Sequence, residues 1–359
     1  MSNVTISDVA QHAGVGIGTV SRVLNNRPSV REQTRQKVLA SVKALNYTPS
    51  QSARRLVLGK SLTIAVVTPF LTSPAFVERL RGIEHTLRQS EYDLVLHIVE
   101  SESRRDACFE QLSTQNRVDG IIIISLSPND NHVHRFQASD IPTVLLDAHH
   151  EQLNRIIIDD VEGGYKAVQH LTRLGHQRIG YVSDPMEHPL NFVSNLHRYQ
   201  GYRNALAEAD IPFNPTYHRT TQPDWLGAYT SSWMAAYEHS KVLLSSPNRP
   251  TAIFAASDTQ ASGVLRAANE LDIAVPEQLS VVGYDDHELA EYWHLTTIRQ
   301  PLHAMGVEAV NLVLDEINAK QAGDGDSCAV SPDDSRPKCI QMPIELIVRG
   351  TTGPVPCDS

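Results

Sequence analysis

Two short apolar stripes of helical period, only three residues apart, restrict what the N-terminal part of this chain can become. Ile6, Val9, Ala10 and Ala13 recur at i, i+3, i+4 and i+7, the spacing that lines one face of an amphipathic helix. Thr5 stands before them as N-cap with Asp8 three residues on, a capping box. Gly14-Val15-Gly16 ends that helix with the permissive backbone of a tight turn. A second helix is predicted over about residues 17–25, burying Val20, Val23 and Leu24. Asn25-Asn26-Arg27-Pro28 breaks it, and a third helix over about residues 31–45 buries Val38, Val42 and Leu45. Helix, three-residue turn, helix, supporting helix is the helix-turn-helix plan, in which the second helix enters the DNA major groove. A small three-helix module for protein contacts has the same outline.

Charge separates those two readings. The 359 residues carry a net −10, which alone argues against a polyanionic partner. Residues 1–60, however, hold nine Arg/Lys against only Asp8 and Glu32, a net +7 that leaves −17 on the remainder. A basic head on an acidic body is the footprint of a protein that holds a polyanion at one end. On the solvent face of the second helix, Arg22 suits a guanine edge and Ile17 a thymine methyl. Thr19 and Ser21 suit phosphate oxygens, which set register rather than sequence. After Tyr47, the segment 48–60 has a cap in Thr48 and a proline at the first helical position, yet is too short to be a stable helix alone in water. Leu56, beside Arg54 and Arg55, reads either as a minor-groove wedge or as an ordinary linker leucine.

Thr5-Ile6-Ser7-Asp8-Val9-Ala10, the run Gly14 to Asn25, Thr34-Arg35, Val38, Leu45-Asn46-Tyr47 and Ala53-Arg54-Arg55-Leu56 closely resemble the head of the lactose-repressor/galactose-repressor family. The resemblance places Ile17, Gly18 and Arg22 at base-reading positions and Leu56 at the minor-groove lever of a hinge helix. Thr5, Gly16, Thr19, Ser21, Asn25 and Ala53 complete the DNA-contacting set it implies. Two departures stand out: Gly16 replaces the usual Ser, and Gly18 has no side chain where a base is often read.

From residue 61 short β-rich runs alternate with helical stretches. Strands are predicted at 62–67, 93–99, 120–124, 143–146, 156–158, 179–182, 252–255 and 280–282, with a last one near 341–348 after a flexible loop at 320–339. Helices such as 76–89 and 161–174 lie between them. Continuous apolar strands separated by helices imply parallel sheets covered on both faces. About 290 residues suit two such α/β subdomains with a ligand crevice at the carboxyl ends of the strands. The resemblance continues through Leu174-Gly175-His176-Gln177-Arg178-Ile179, Arg198 with Gly201-Tyr202-Arg203, Pro250 to Ala255 and Gly283-Tyr284-Asp285-Asp286. It implies an effector domain resembling periplasmic sugar-binding proteins. The expected organisation is therefore an all-α helix-turn-helix head (1–47), a hinge (48–60), two doubly wound parallel-sheet subdomains for effector binding and dimerisation (61–350) and a tail (351–359).

The effector site implied comprises Arg198, Asp285, Asp147, Ser257 and Trp225. The Arg198 fork suits vicinal hydroxyls, a carboxylate or a phosphate; its bland alternative is a surface arginine. Asp285, just after a predicted strand, is expected to point into the crevice and accept sugar hydroxyls; its bland alternative is a helix cap shared with Asp286. Trp225 competes with Trp233 and with Ser231, because an insertion blurs the spacing counted back from Asp258. No catalytic constellation appears: Asp159-Asp160 and Asp285-Asp286 are adjacent pairs expected to face apart, and no nucleophile elbow or phosphate loop is present. His149-His150 and His132-x-His134 read as surface histidines, so neither a metal nor another cofactor is expected. Four scattered cysteines, no secretory leader pattern and no long apolar run fit a cytoplasmic chain. The expected partners are near-palindromic operator DNA, a small effector of carbohydrate type and a second copy in a homodimer. A sugar-binding protein without a regulatory role is the alternative, which the basic head opposes.

Overall fold

The computed structural model describes residues 4–24, 29–47, 60–114, 117–186, 190, 192–220, 228–323 and 336–356. The chain forms two compact units, Met1–Ser61 and Leu62–Ser359. In the first, α1 (Ile6–Ala13), α2 (Ile17–Leu24) and α3 (Glu32–Ala44) close around Val9, Ala10, Val20, Val23, Val38 and Tyr47. Val42 and Leu45 pack against this core half-buried. The capping box forms, the Thr5 amide donating to Asp8 at 2.8 Å while Thr5 Oγ1 accepts from the Asp8 amide. Gly14, at φ +65°, ends α1 in the left-handed region, where a β-carbon would be strained.

The second unit holds two six-stranded sheets. Across the first run β2 (Asp93–Ile98), β1 (Thr63–Thr68), β3 (Gly120–Ile124), β4 (Thr143–Leu146), β5 (Asn154–Ile157) and β11 (Cys339–Gln341). Across the second run β7 (His218–Thr220), β6 (Ile179–Ser183), β8 (Ala252–Ala255), β9 (Ser280–Asp285), β10 (Thr296–Arg299) and β12 (Glu345–Ile347). Every neighbouring pair is parallel except β10 with β12. The β1, β3, β6 and β8 strands are buried along their whole length, as continuous apolar runs in a doubly covered sheet must be.

The helices of this unit are α4 (Pro74–Leu87), α5 (Glu102–Thr114), α6 (Asp130–Ala138), α7 (Asp160–Arg173), α8 (Ser194–Glu208), α9 (Ala228–Leu244), α10 (Asp258–Glu270), α11 (Glu288–Tyr292) and α12 (Leu302–Gly323). The chain passes between the two sheets three times, near residues 158–159, 300–301 and 342–344. In each sheet the strand order reverses at one place, between β1 and β3 and between β6 and β8. Beyond the carboxyl ends of the strands at such a reversal is where open α/β sheets take ligands.

The single last strand predicted near 341–348 is two strands on different sheets, because Pro343 lacks the amide a ladder needs. Residues 351–356, set apart as a tail, are in part fastened down. Thr351 Oγ1 donates to the Val281 carbonyl at 2.8 Å, and the Val355 amide donates to Leu174 at 2.9 Å.

Helix pairs in this unit meet backbone to backbone at glycines. A β-carbon on Gly201 of α8 would lie 2.1 Å from the Val161 carbonyl oxygen of α7, and one on Gly164 2.2 Å from that of Arg198. Gly201→Ala is therefore expected to destabilise by about 1–3 kcal/mol, since backbone cannot rotate away as a side chain can. Thermal unfolding should show a lower midpoint for Gly201→Ala. Gly18→Ala, whose β-carbon would meet nothing within 4 Å, should leave the midpoint nearly unchanged.

Candidate functional site

The 3.6-residue period divides α2 into two faces. Val20 and Val23 are buried in the head core, whereas Ile17, Gly18 and Arg22 are exposed on the other side. Ile17 is 50% exposed, an unfavourable place for an isoleucine unless a partner covers it. Thr19 and Ser21 are half-buried at the edges of that face. The Gly16 carbonyl accepts from the Thr19 and Val20 amides, so Gly16 starts the helix, with open space where a β-carbon would be. Thr5 is exposed at the start of α1. Asn25, Ala53 and Leu56 lie outside the described residues.

In the second unit, polar side chains gather at the carboxyl ends of the strands of both sheets. Ser125 follows β3, Asp147 follows β4 and Asp285 ends β9. All three hold left-handed backbone, at φ +55°, +55° and +114°. Such strain in non-glycine residues collects at ligand clamps because the surrounding fold over-determines it. They join one continuous chain of contacts. Ser125 Oγ donates to Asp147 Oδ2 at 2.8 Å, and Arg79 of α4 meets the same oxygen at 2.9 Å. Arg79 also donates to Gln300 Oε1 at 3.1 Å, and Gln300 Nε2 donates to Asp285 Oδ1 at 2.6 Å. Asp285 Oδ1 lies 3.7 Å from Arg198 Nη1, whose Nε donates to Asp160 Oδ1 at 2.7 Å. Arg198 further donates to the Ala256 carbonyl at 2.6 Å and lies over the Tyr284 ring at 3.7 Å, a cation–π contact. The network thus runs from the first sheet to the second through Gln300, which sits on a crossing segment. Phe70 and Phe192 pack tilted with centroids 5.6 Å apart, and His149 and His197 meet edge-on at 6.1 Å.

Burial sets the electrostatics of this crevice. Arg198, Asp160 and Asp285 are each 6% exposed. Burial pushes the Asp285 carboxyl up to about 6, although Arg198, Arg79 and the Gln300 hydrogen bond pull it down. Burial likewise raises Asp160 against the pull of Arg198. Burial opposes the Arg198 charge as well, but Asp160, Tyr284 and Asp285 more than offset it and raise its pKa. Because folded Asp285 holds a proton that the unfolded chain releases, its contribution to stability falls as pH rises from the ordinary carboxylate range to about 6. In urea titrations across that interval, Asp285→Asn should lose less stability with rising pH than the parent. Parallel curves would remove Asp285 as the titrating group.

Of the effector residues expected from sequence, Arg198, Asp285 and Asp147 come together. Arg198 is buried, not a surface arginine, and Asp285 caps no helix: His287 stands at the N-cap of α11. Asp286 turns away to Arg299 and Arg349, each at 2.7 Å. Ser257 is the N-cap of α10, accepting from the Gln260 amide at 3.2 Å, and takes no part in the contacts of the network. Trp225 lies outside the described residues. Trp233 lines an outer groove with Tyr237 and Trp293 and takes no part in the crevice contacts. His132 is not a surface histidine but is buried edge-on to Phe109, centroids 5.0 Å apart. His176, in the run that resembled the family, is structural: its buried ring lies 2.9 Å from Thr251 Oγ1 and 3.0 Å from Ser280 Oγ.

Sequence reasoning missed Arg79, Ser125, Asp160 and Gln300. Two of them carried a signal. Ser125 is the first polar residue after an unbroken apolar strand, the criterion that found Asp147. Arg79 falls at i+3 from Phe76 and i−4 from Ile83, inside the apolar stripe of its helix. Among the described residues, no group of three or more His, Cys, Asp or Glu side chains could hold a metal ion. None of the described helices is long and apolar enough to cross a membrane.

Residues 5–50 match the model of bacterial regulatory proteins of the lacI family, and residues 168–352 that of the periplasmic binding protein-like domain. The chain is 34% identical over 323 residues to catabolite control protein A of Priestia megaterium, covering 88% of this chain and 93% of that one. Among solved structures it resembles the lac repressor dimer bound to operator and the anti-inducer ONPF, at 31% identity and a TM-score of 0.79. That match covers 98% of this chain and all of the other. It also resembles a complex of the transcriptional regulator CelR with cellobiose, at 28% identity and a TM-score of 0.66, covering 97% and 100%.

Proposed function

Because the chain belongs to the lacI family of bacterial regulatory proteins, whose members repress transcription under control of a small effector, we propose specific roles for both of its units. Ile17, Gly18 and Arg22 read operator bases, and a carbohydrate effector binds among Asp147, Arg198 and Asp285. The chain is a DNA-binding regulator rather than an enzyme, and it acts as a homodimer. It works in the cytoplasm, where the operator is. Thr5, Gly16, Thr19, Ser21 and Asn25 hold the phosphates around the recognition helix. Ala53 and Leu56 belong to the hinge between the two units (48–60). Ser257 and Trp225 complete the effector site.

The reading of the head rests on the division of α2, which spends its valines on the core and leaves Ile17, Gly18 and Arg22 unburied. A carbohydrate fits the crevice because its carboxylates and guanidinia match hydroxyl groups, and because the similar CelR structure holds cellobiose. Closure of the two sheets on the effector then biases the hinge, a two-state element whose populations the ligand shifts.

Arg22→Ala is expected to lose about 1–3 kcal/mol of operator affinity and to relax the preference at one base pair per half-site. Lys37→Ala, on α3, is expected to weaken specific and random DNA alike if it meets phosphate. Titrating both variants against operator and scrambled duplexes separates the two. Equal losses of Arg22→Ala on both duplexes would remove it from base readout.

A further inference from the structure

Resting on that reading, we infer that the effector is an uncharged, hydroxyl-rich molecule, a sugar carrying neither phosphate nor carboxylate. Both guanidinia of the crevice are already matched. Arg198 has Asp160 at 2.7 Å and Asp285 at 3.7 Å, and Arg79 has Asp147 at 2.9 Å. Three carboxylates thus face two cations. Asp184, beyond β6 and beside the β8 end that Ser257 follows, adds a fourth carboxylate, with Ser232 Oγ at 3.1 Å. The rings of His149 and His197 meet edge-on at 6.1 Å, and desolvation together with that neighbour holds His149 toward its neutral form.

The atoms left over carry the inference further. Asp147 engages Ser125 and Arg79 through Oδ2, and Asp285 engages Gln300 and Arg198 through Oδ1. As carboxylates both accept hydrogen bonds and donate none, so a molecule that meets them must bring donors. Arg79 Nε is buried and has no hydrogen-bond partner among the described residues, which makes it a donor for an oxygen brought within its reach. A hydroxyl group is both donor and acceptor and satisfies either atom. A phosphate or carboxylate offers only acceptors and places a further negative charge among carboxylates where, among the described residues, both guanidinia are already matched. Arg79, on this account, is a specificity-determining residue: it neutralises Asp147 and presents a single donor.

The test is thermal shift and calorimetry on the full chain with matched probes: ribose and ribose 5-phosphate, glucose, glucose 6-phosphate and glucuronate, and cellobiose. The expected result is that every probe raising the unfolding temperature is uncharged, with each charged counterpart bound at least about 100-fold more weakly. A charged counterpart binding as tightly as its parent would overturn the inference and leave the carbohydrate reading standing. Binding by none of the probes would defeat the carbohydrate reading, and this inference with it. Asp147→Asn removes one charge at constant shape and should narrow the discrimination about tenfold. Unchanged discrimination in that variant would show that charge balance is not its cause.

Discussion

Arg198→Ala is expected to lower the free energy of unfolding by about 3–5 kcal/mol, the effect of stranding a buried charge by removing its partner. It leaves Asp160 and Asp285 facing each other with no guanidinium between them, and uncovers the Tyr284 ring as well. Arg198→Met with Asp160→Asn should restore much of that loss, because both charges then leave together and the long side chain still covers Tyr284. Chemical denaturation of the parent, the single variant and the double variant measures it. A single-variant loss below about 1 kcal/mol would mean that the pair is solvated and the crevice network is not structural. Where Arg198→Ala remains folded, it should still retard operator DNA and no longer respond to the effector, because the ligand acts through differential binding to two states.

A chain beginning at residue 62 is expected to lose operator binding altogether, at protein concentrations where the full chain saturates the site. The seven net positive charges of residues 1–60 and the whole of α2 are then gone, and the remainder carries a net negative charge that repels DNA. The thermal midpoint of the truncated chain should stay close to that of the second unit in the full chain, since both sheets and their cores lie beyond residue 61. Gel retardation with operator duplex and a thermal melt check both parts. Retained retardation would relocate the DNA-binding surface to the body.

The head was nearly transparent in sequence because its whole core is local: stripes, cap and turn glycines all lie within about 40 residues. The body's central strands were legible for a different reason. A strand buried on both faces is a plain apolar run, so β3, β4 and β8 were placed to the residue. The edge strands β7 and β11 were not, since an edge needs apolar side chains on at most one face, and β10, inside its sheet, was missed because Thr296-Thr297-Ile298-Arg299 is polar enough to read as a loop. In the crevice, Asp147 and Asp285 were found as polar residues closing apolar runs. Asp160 was read as half of a carboxylate pair along a strand, whereas it opens α7 and meets Arg198 across 38 positions of sequence. Gln300, between Arg299 and Pro301, gave no local sign; only the crossing of the chain puts it between two subdomains.

That crossing pattern also governs the order in which the protein comes off the ribosome. The edge strand β11 of one subdomain and the edge strand β12 of the other come from residues 339–347, and Thr351 then ties to β9 and Val355 to the end of α7. Neither subdomain is complete while this stretch is still inside the exit tunnel, although the head was finished about 290 residues earlier. For most of its synthesis the nascent polypeptide therefore carries a finished head on a body whose two sheets each still lack an edge strand. A premature stop upstream of β11 would release a complete head on a body lacking an edge strand in each sheet.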